Sequence, residues 1–417
     1  MRRRTNPTTA IRRIALARLI SITGGAAAYT ALMFTVYEKT HSAGWLSAAL
    51  LLTFGVNGFV SPFAGAIGDR FDRKRVMIVS DVLGAACFAA MAFARDPGWL
   101  LGFAFVSAVV ETPFWVASGA AMPNLVAEER LSWANGLVSL GKNLGISVGP
   151  AIGGALLPIL GAPSVFGLNA LSFVVSAVLV ATVHARFSRE REEHHEHRGV
   201  RAGFRFIARD RVLRMLTLAY VVMIGGMGFV MVADVPLAER FGAGSIGFGL
   251  MITFWGVGSV AGSFGGRWLD ERKEPRALFL GMLLVGFATA AIGVSPWFAP
   301  ILAMTLFAGI GDSIAVVADQ GIQQRRTPDV VRSRVMAAVE FVVMIAYAVA
   351  LIFAGQVLRI VGPQHVYLIG GATALVGALV FWPAVRATGR ARSAGGAPPD
   401  GRGVGAELGV GSVRVPG

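Results

Sequence analysis

Residues 65–75 read GAIGDRFDRKR and hold six charges in eleven positions. Apolar runs of membrane-spanning length lie on both sides of them. So short a connection leaves the two flanking helices antiparallel neighbours. Asp69 and Arg70 begin where the first apolar run stops, and Arg73, Lys74 and Arg75 come just before the next. A basic cluster between two spans marks a cytoplasmic loop. Gly65 lets two backbones approach closely at the end of a span.

Working outward, the 417 residues are 55% hydrophobic and only 15% charged, with a mean hydropathy of +0.64. A soluble chain carries about a quarter charged residues. Apolar runs of about 20 residues, enough to cross a bilayer, recur throughout. A membrane β-barrel would show short alternating segments instead. The fold class is therefore an all-α membrane protein. The net charge of +14 raises the question of nucleic acid, and its distribution answers it. Of the 38 lysines and arginines, 31 fall in one set of alternate loops and in the two termini, whereas Lys39, Arg95, Arg240 and Arg359 fall on the opposite side and three lie inside helices. That is positive-inside bias with both termini cytoplasmic, not a nucleic-acid patch. The single cysteine, Cys87, leaves no disulfide framework and no cysteine metal site. Residues 1–13 lead straight into a full-length span, as a signal anchor would.

The apolar runs predict spans at 14–38, 43–67, 76–94, 98–122, 136–160, 163–185, 211–236, 244–268, 277–295, 297–319, 335–361 and 364–386. Residues 1–185 form a first six-helix half, 186–210 a cytoplasmic linker, 211–386 a second half and 387–417 a disordered cytoplasmic tail. His194, His195 and His197 in the linker show no ligand spacing and read as part of a solvated, partly helical connection. The tail's GRGVGAELGVG has no strand before it and no helix after it, so it is not a dinucleotide loop.

Sliding the chain on itself by 201 positions brings the halves into register. Gly65 and Asp69 fall on Gly266 and Asp270, Arg13 on Arg214, and GALLPILG (154–161) on GQVLRIVG (355–362). Gly145, Gly149 and Gly153 fall on Ala346, Ala350 and Ala354, and Glu111 falls on Asp312. Parallel repeats of this kind enclose a site near the bilayer midplane and work by rocking one half against the other.

With these residues in view, the chain resembles the major facilitator superfamily over nearly its whole length apart from the tail. GAIGDRFDRKR is similar to that superfamily's signature between its second and third helices, with Asp72 where the common pattern has Gly. The fifth span, with Gly145, Gly149, Pro150, Gly153 and Gly154, resembles the motif of proton-coupled antiporters. MPNLVAEERLSWANG, that motif and FGLNALSF together resemble the branch holding enterobactin exporters and macrolide efflux proteins. Gly24 and Gly25 stand near where many of that branch carry an acid in the first span. The resemblance implies two pseudo-symmetric six-helix halves and a secondary transporter without a cofactor, driven by the proton gradient. Its partners would be a small-molecule substrate, protons and membrane lipids, and it would work as a monomer.

Charged residues inside spans are expensive and usually face a cavity or a partner. Glu111, with Trp115 one turn along on the same face, and its repeat mate Asp312 are the candidates for proton coupling. Each can also be read as a fixed ion-pair or capping acid. Asp319 suits an inner gate with Arg325 or Arg326, as does Asp270. Lys142 can pair across the halves with Glu340. Arg18 reads as snorkelling to the interface, and Asp234 as a cap or outer-gate residue. Trp255, with Trp115, is a candidate for the cavity wall. Gly141, Gly145, Gly149 and Gly153 make one smooth face for close helix packing, which would also serve as a dry seam between halves. Gly65, Asp69, Arg70 and Arg73 would form an inner-side latch in the first half and toward the second. No metal site, nucleophile elbow, zinc-protease motif or phosphate loop is present, so the chain reads as no enzyme and as independent of ATP. The expected function is proton-coupled export of small amphipathic compounds, a drug or a siderophore, by alternating access in the bacterial inner membrane. Uptake, lipid flipping and a non-transporting sensor are the alternatives.

Overall fold

The computed structural model of the chain describes residues 5–55, 60, 64, 67, 70–185, 187, 201–265, 269–270 and 272–393. The described elements are helical, with no strand among the described residues. In order they are α1 (Pro7–Thr40), α2 (Ala43–Leu50, continued by a π turn at Leu51–Gly55), α3 (Arg73–Phe93), α4 (Pro97–Leu125), α5 (Leu131–Ala181), α6 (Arg201–Arg209), α7 (Arg211–Arg240), α8 (Gly244–Ser263), α9 (Glu274–Gly293), α10 (Phe298–Arg326), α11 (Asp329–Val361) and α12 (Pro363–Ser393).

Short polar side chains start the helices by satisfying their free amides. Asn6 accepts from the Thr8 amide at 3.0 Å, Asp72 from Arg75 at 3.1 Å, Asp96 from Gly98 at 2.7 Å, and Asp210 from Val212 and Leu213 at 2.8 and 3.0 Å. The acid at position 72 thus has a local purpose: it caps α3.

Ten of the helices are long and apolar enough to cross a membrane. One of them, α5, has 51 residues, about 75 Å of helix against a hydrocarbon core of about 30 Å. It breaks at Gly161, where φ is 75° and ψ is 162°. Gly362, 201 positions on, separates α11 from α12 with φ 78° and ψ 167°. A proline follows closely in both places, Pro163 and Pro363.

The apolar core is one body at one end of the bundle and two bodies at the other. At the far end, where α1 finishes and α8 begins, Leu32, Leu46, Leu50, Val232, Phe248 and Leu351 belong to a single cluster. Helices from before and after the linker join there. At the end that carries the termini, Ile11, Phe114, Met122 and Val180 pack in one cluster, and Leu213, Met282, Val335 and Phe381 in another. A cleft therefore opens between the two helix groups at the terminal end, and the far end is shut.

The expected solvated linker differs in its described part. Phe206 and Ile207 of α6 are buried in the second group's core, and Phe204 meets the Phe341 ring edge-on at 6.2 Å. The apolar face of this one turn-rich helix is short, and the arginines around it hide it in a hydropathy pattern. His194, His195 and His197 lie outside the described residues, as does most of the tail.

Candidate functional site: the cleft and its charged residues

The cleft begins with what is missing from its walls. A methyl group placed on Gly25 of α1 or Gly225 of α7 would meet nothing within 4 Å. Trp115 of α4 and Trp255 of α8 keep 38% and 37% of their surface exposed. One position on α1 and one on α7 are thus bare, and two large aromatics on α4 and α8 keep open surface.

In the first group, Glu111 lies within hydrogen-bonding reach of Ser107 and in electrostatic range of Asp81 and Cys87. Asp81 was not singled out in the sequence. It is 1% exposed and accepts a hydrogen bond from Ser176 Oγ at 2.7 Å. Its signal was available: an acid in the interior of the 76–94 apolar run. One turn along from Glu111, Trp115 stacks under Arg18, whose guanidinium carbon is 4.6 Å from the indole centroid. Arg18 Nε donates to Ser118 Oγ at 3.1 Å. Snorkelling is therefore the wrong reading of Arg18. The side chain is 9% exposed and points into α4 rather than along α1 toward the interface.

In the second group, Asp312 and Asp319 of α10 both lie in electrostatic range of Tyr220, whose hydroxyl has no partner. Asp319 accepts two hydrogen bonds from Gln323 Nε2, at 2.8 and 2.9 Å. The expected bridges from Arg325 or Arg326 to Asp319 go elsewhere. Arg325 forks onto Glu274 at 2.6 to 3.2 Å, and Arg326 reaches Asp210 at 3.2 Å. Antiparallel packing of α9 and α10 sets the last turn of one beside the first turn of the other, where an acid is also favoured by the helix dipole. Asp319 sits deeper and meets its own i+4 neighbour instead.

The Lys142–Glu340 pair does not form among the described residues. Both side chains are exposed, one on α5 and one on α11, and Glu340 lies in range of Asp319. Asp234 is neither a helix cap nor exposed at the end. The Tyr367 hydroxyl donates to it, and Tyr29 and Tyr347 lie in its electrostatic range. Tyr29 comes from the first group, so this cluster spans both. Asp270 accepts from the Arg272 and Lys273 amides and pairs with Lys273 Nζ at 3.2 Å. Slight desolvation raises its carboxyl, but the Lys273 bonds and charge outweigh this and hold it below the usual carboxylate range. It closes its own turn and reaches no other group of helices in the bonds described.

The glycine face of α5 packs inside the first group. Gly141 abuts Ala15 and Leu19, Gly145 abuts Ile22, Gly149 abuts Ala26 and Thr23, and Gly153 abuts Ala27, all on α1. The seam between groups runs along the neighbouring face instead. There Pro150 lies against Gly249, Ser147 against Gly256, and Ser245 Oγ donates to the Gly154 carbonyl at 3.0 Å. A four-residue period places all four glycines on one side, and Pro150 and Gly154 fall just beside them.

Of the signature residues, Gly65 and Asp69 lie outside the described residues, and so does Glu271. Arg70 is exposed. Arg73 donates to the carbonyls of Ala120 and Phe187 at 2.7 and 3.4 Å, and Lys74 to Ala181 at 2.8 Å. Arg73 thus ties helix ends within the first group. No cluster of three or more His, Cys, Asp or Glu side chains able to hold a metal occurs among the described residues.

A bundle of apolar helices, shut at one end and split by a cleft with acids in both walls, is the form of a multi-pass membrane carrier. The Major Facilitator Superfamily model matches residues 14–292 and again 216–408, and the chain belongs to that superfamily. It is a transporter of this family. The enterobactin exporter EntS of Shigella dysenteriae serotype 1 is 25% identical over 347 residues, covering 80% of each chain. EntS of Escherichia coli O81 matches to the same extent. Among solved structures, a nucleoside transporter NupG variant superposes with a TM-score of 0.76 at 10% identity, covering 90% of this chain and 99% of that one. A bacterial homologue of the human lysosomal transporter Spinster, in an inward-facing state, gives 0.67 at 14% identity over 94% and 99%.

Proposed function

We propose that this transporter has twelve spans in two six-helix halves, 1–185 and 211–386, joined by the linker 186–210 and followed by the cytoplasmic tail 387–417. It exports small amphipathic compounds against inward proton flow, with both termini in the cytoplasm. The family match at two overlapping stretches and the shared backbone of Gly161 and Gly362 support the two-half reading. The loop-charge bias supports the orientation, and in that orientation the cleft faces the cytoplasm. The similarity to enterobactin exporters supports efflux. The observation that carries proton coupling is that Glu111 and Asp312, 201 positions apart, lie in the walls of the two groups with no cationic partner among the described residues. A carboxylate that passes between a dry and a wet environment as the halves rock binds and releases a proton. The proton gradient then serves as the energy source.

The test is proteoliposomes of the full chain with a trapped pH dye, an imposed pH gradient and a panel of amphipathic compounds, phenolic siderophore precursors included. Wild type should move protons when a substrate is added. Glu111→Gln or Asp312→Asn should abolish that coupling with insertion intact. Coupling retained in both variants rejects the assignment.

A further inference from the structure

Arg18 is a cation inside a membrane span with no counter-ion among the described residues. A guanidinium has five N–H donors, and one of them is used, by Ser118 Oγ. The remaining stabilisation comes from the rings of Trp115 and Phe114, at 4.6 and 5.9 Å from the guanidinium carbon. No carboxylate pairs with it among the described residues. The nearest acid along α4, Glu111, lies two turns from Ser118 and engages Ser107 instead. Lys142, next to the Gly141 that packs on α1 beside Leu19, is also a cation and brings no counter-charge. One neutral hydroxyl and a ring face do not offset the desolvation of a full charge. Trp115 meanwhile leaves over a third of its surface open, so the stack is not sealed in the core.

We propose that Arg18, Trp115 and Ser118 form the receptor for the anionic group of an aromatic substrate. Ser118 and the indole hold the guanidinium plane, so its free edge presents two parallel N–H donors. That fork matches a carboxylate or a sulfonate at two points. The exposed part of the indole takes the aromatic body beside it. Arg18 holds the same positive charge throughout the cycle, so the anion is bound by a fixed charge while Glu111, deeper in the same wall, is left to the proton. The inference rests on the cleft being the substrate path.

The experiment is equilibrium binding to the full chain in lipid nanodiscs, with no pH gradient. The probes are 1-anilinonaphthalene-8-sulfonate, an aromatic anion, and N-phenyl-1-naphthylamine, the same aromatic body without the charge. The saturable component of each is compared. Wild type should bind the anion about tenfold or more tighter than the neutral probe. Arg18→Gln should remove that advantage and leave the neutral probe within about twofold. Trp115→Leu should weaken both. Should Arg18→Gln fail to insert, Arg18→Lys keeps the charge but loses the fork, and it should weaken the anion alone by about threefold. Unchanged anion binding in Arg18→Gln, or in Arg18→Lys where that variant stands in, overturns the proposal. So does equal weakening of both probes in the Arg18 variant. Repeating the measurement in Glu111→Gln separates the two readings: anion selectivity retained where proton coupling is lost or was never present leaves the receptor standing on its own.

Discussion

An acid buried in hydrocarbon needs a donor, and two of the acids here meet that need with a single hydroxyl. Ser176 serves Asp81, and Tyr367 serves Asp234. Interhelical hydrogen bonds of this type contribute about 0.6 kcal/mol on average and up to about 1.7 in membrane proteins. Tyr367→Phe removes the donor, keeps the ring and leaves the carboxylate behind. It should cost about 1 kcal/mol, read as a lower midpoint in thermal unfolding of the purified protein, with the fold unchanged. Ser176→Ala should behave likewise at Asp81. A midpoint unmoved in both variants would mean that water replaces the hydroxyls. At this scale the sequence was legible in kind more than in pairing. That Glu111, Asp312 and Asp319 stand within membrane-length helices was readable from the apolar runs around them. That Arg325 meets Glu274 did not, because the pair spans 51 positions and depends on which helix ends lie side by side. Arg18 was misread for a similar reason: snorkelling follows from one helix alone, and the Trp115 stack needs two.

The helices themselves were legible almost throughout, because a run of about 20 apolar residues has few alternatives in a bilayer. The break in α5 was legible as a gap between two apolar runs, and its form explains why glycine occupies it. Gly161 and Gly362 sit at positive φ with extended ψ, a conformation essentially closed to other residues, at a cost of about 1–3 kcal/mol where it is forced. Gly161→Ala and Gly362→Ala should each destabilise the purified protein by that amount and by similar degrees. The two sites are repeat mates far apart in the chain, so their effects should add in the double variant. Gly167→Ala is the control. A methyl there meets nothing within 4 Å, and in an open helical position it should be neutral or stabilising. A Gly161→Ala variant as stable as wild type would remove the backbone argument. What the periodicity left open was the partner of the α5 glycine face. A stripe of small residues predicts a close neighbour, but both α1 and α8 are close, and only packing assigns the stripe to one and Pro150 and Gly154 to the other.

Which end of the molecule is shut cannot be read from a hydropathy pattern, because both states of a rocking carrier bury nearly the same apolar faces. The difference lies in a few backbone approaches between the groups. At the far end Gly154 lies against the Ser245 backbone, Gly249 against Pro150, and Gly355 is close enough that a methyl would stand 2.9 Å from the Gly44 Cα. These contacts exist only while the far end is closed, and they tolerate no side chain. A bulky residue there therefore acts on the equilibrium between states more than on the fold of either group. Gly154→Leu should penalise the far-end-closed state, and each 1.4 kcal/mol of differential penalty shifts the ratio of states tenfold. Overpacking of this kind typically costs about 1–3 kcal/mol, enough to invert a balanced equilibrium. The readout is a spin-label distance across the cleft mouth, between Phe71→Cys and Arg272→Cys in a Cys87→Ser background. Both sites are exposed, on opposite groups at the terminal end, and 201 positions apart. In the parent the distance should be long, as befits the open cleft. In Gly154→Leu the population should move toward a shorter distance as the terminal end closes. Binding of the aromatic anion from that side should weaken in proportion, because Arg18 then loses its access. A distance distribution identical in both proteins would mean that the far-end glycines fit the packing of one state without governing the choice between states.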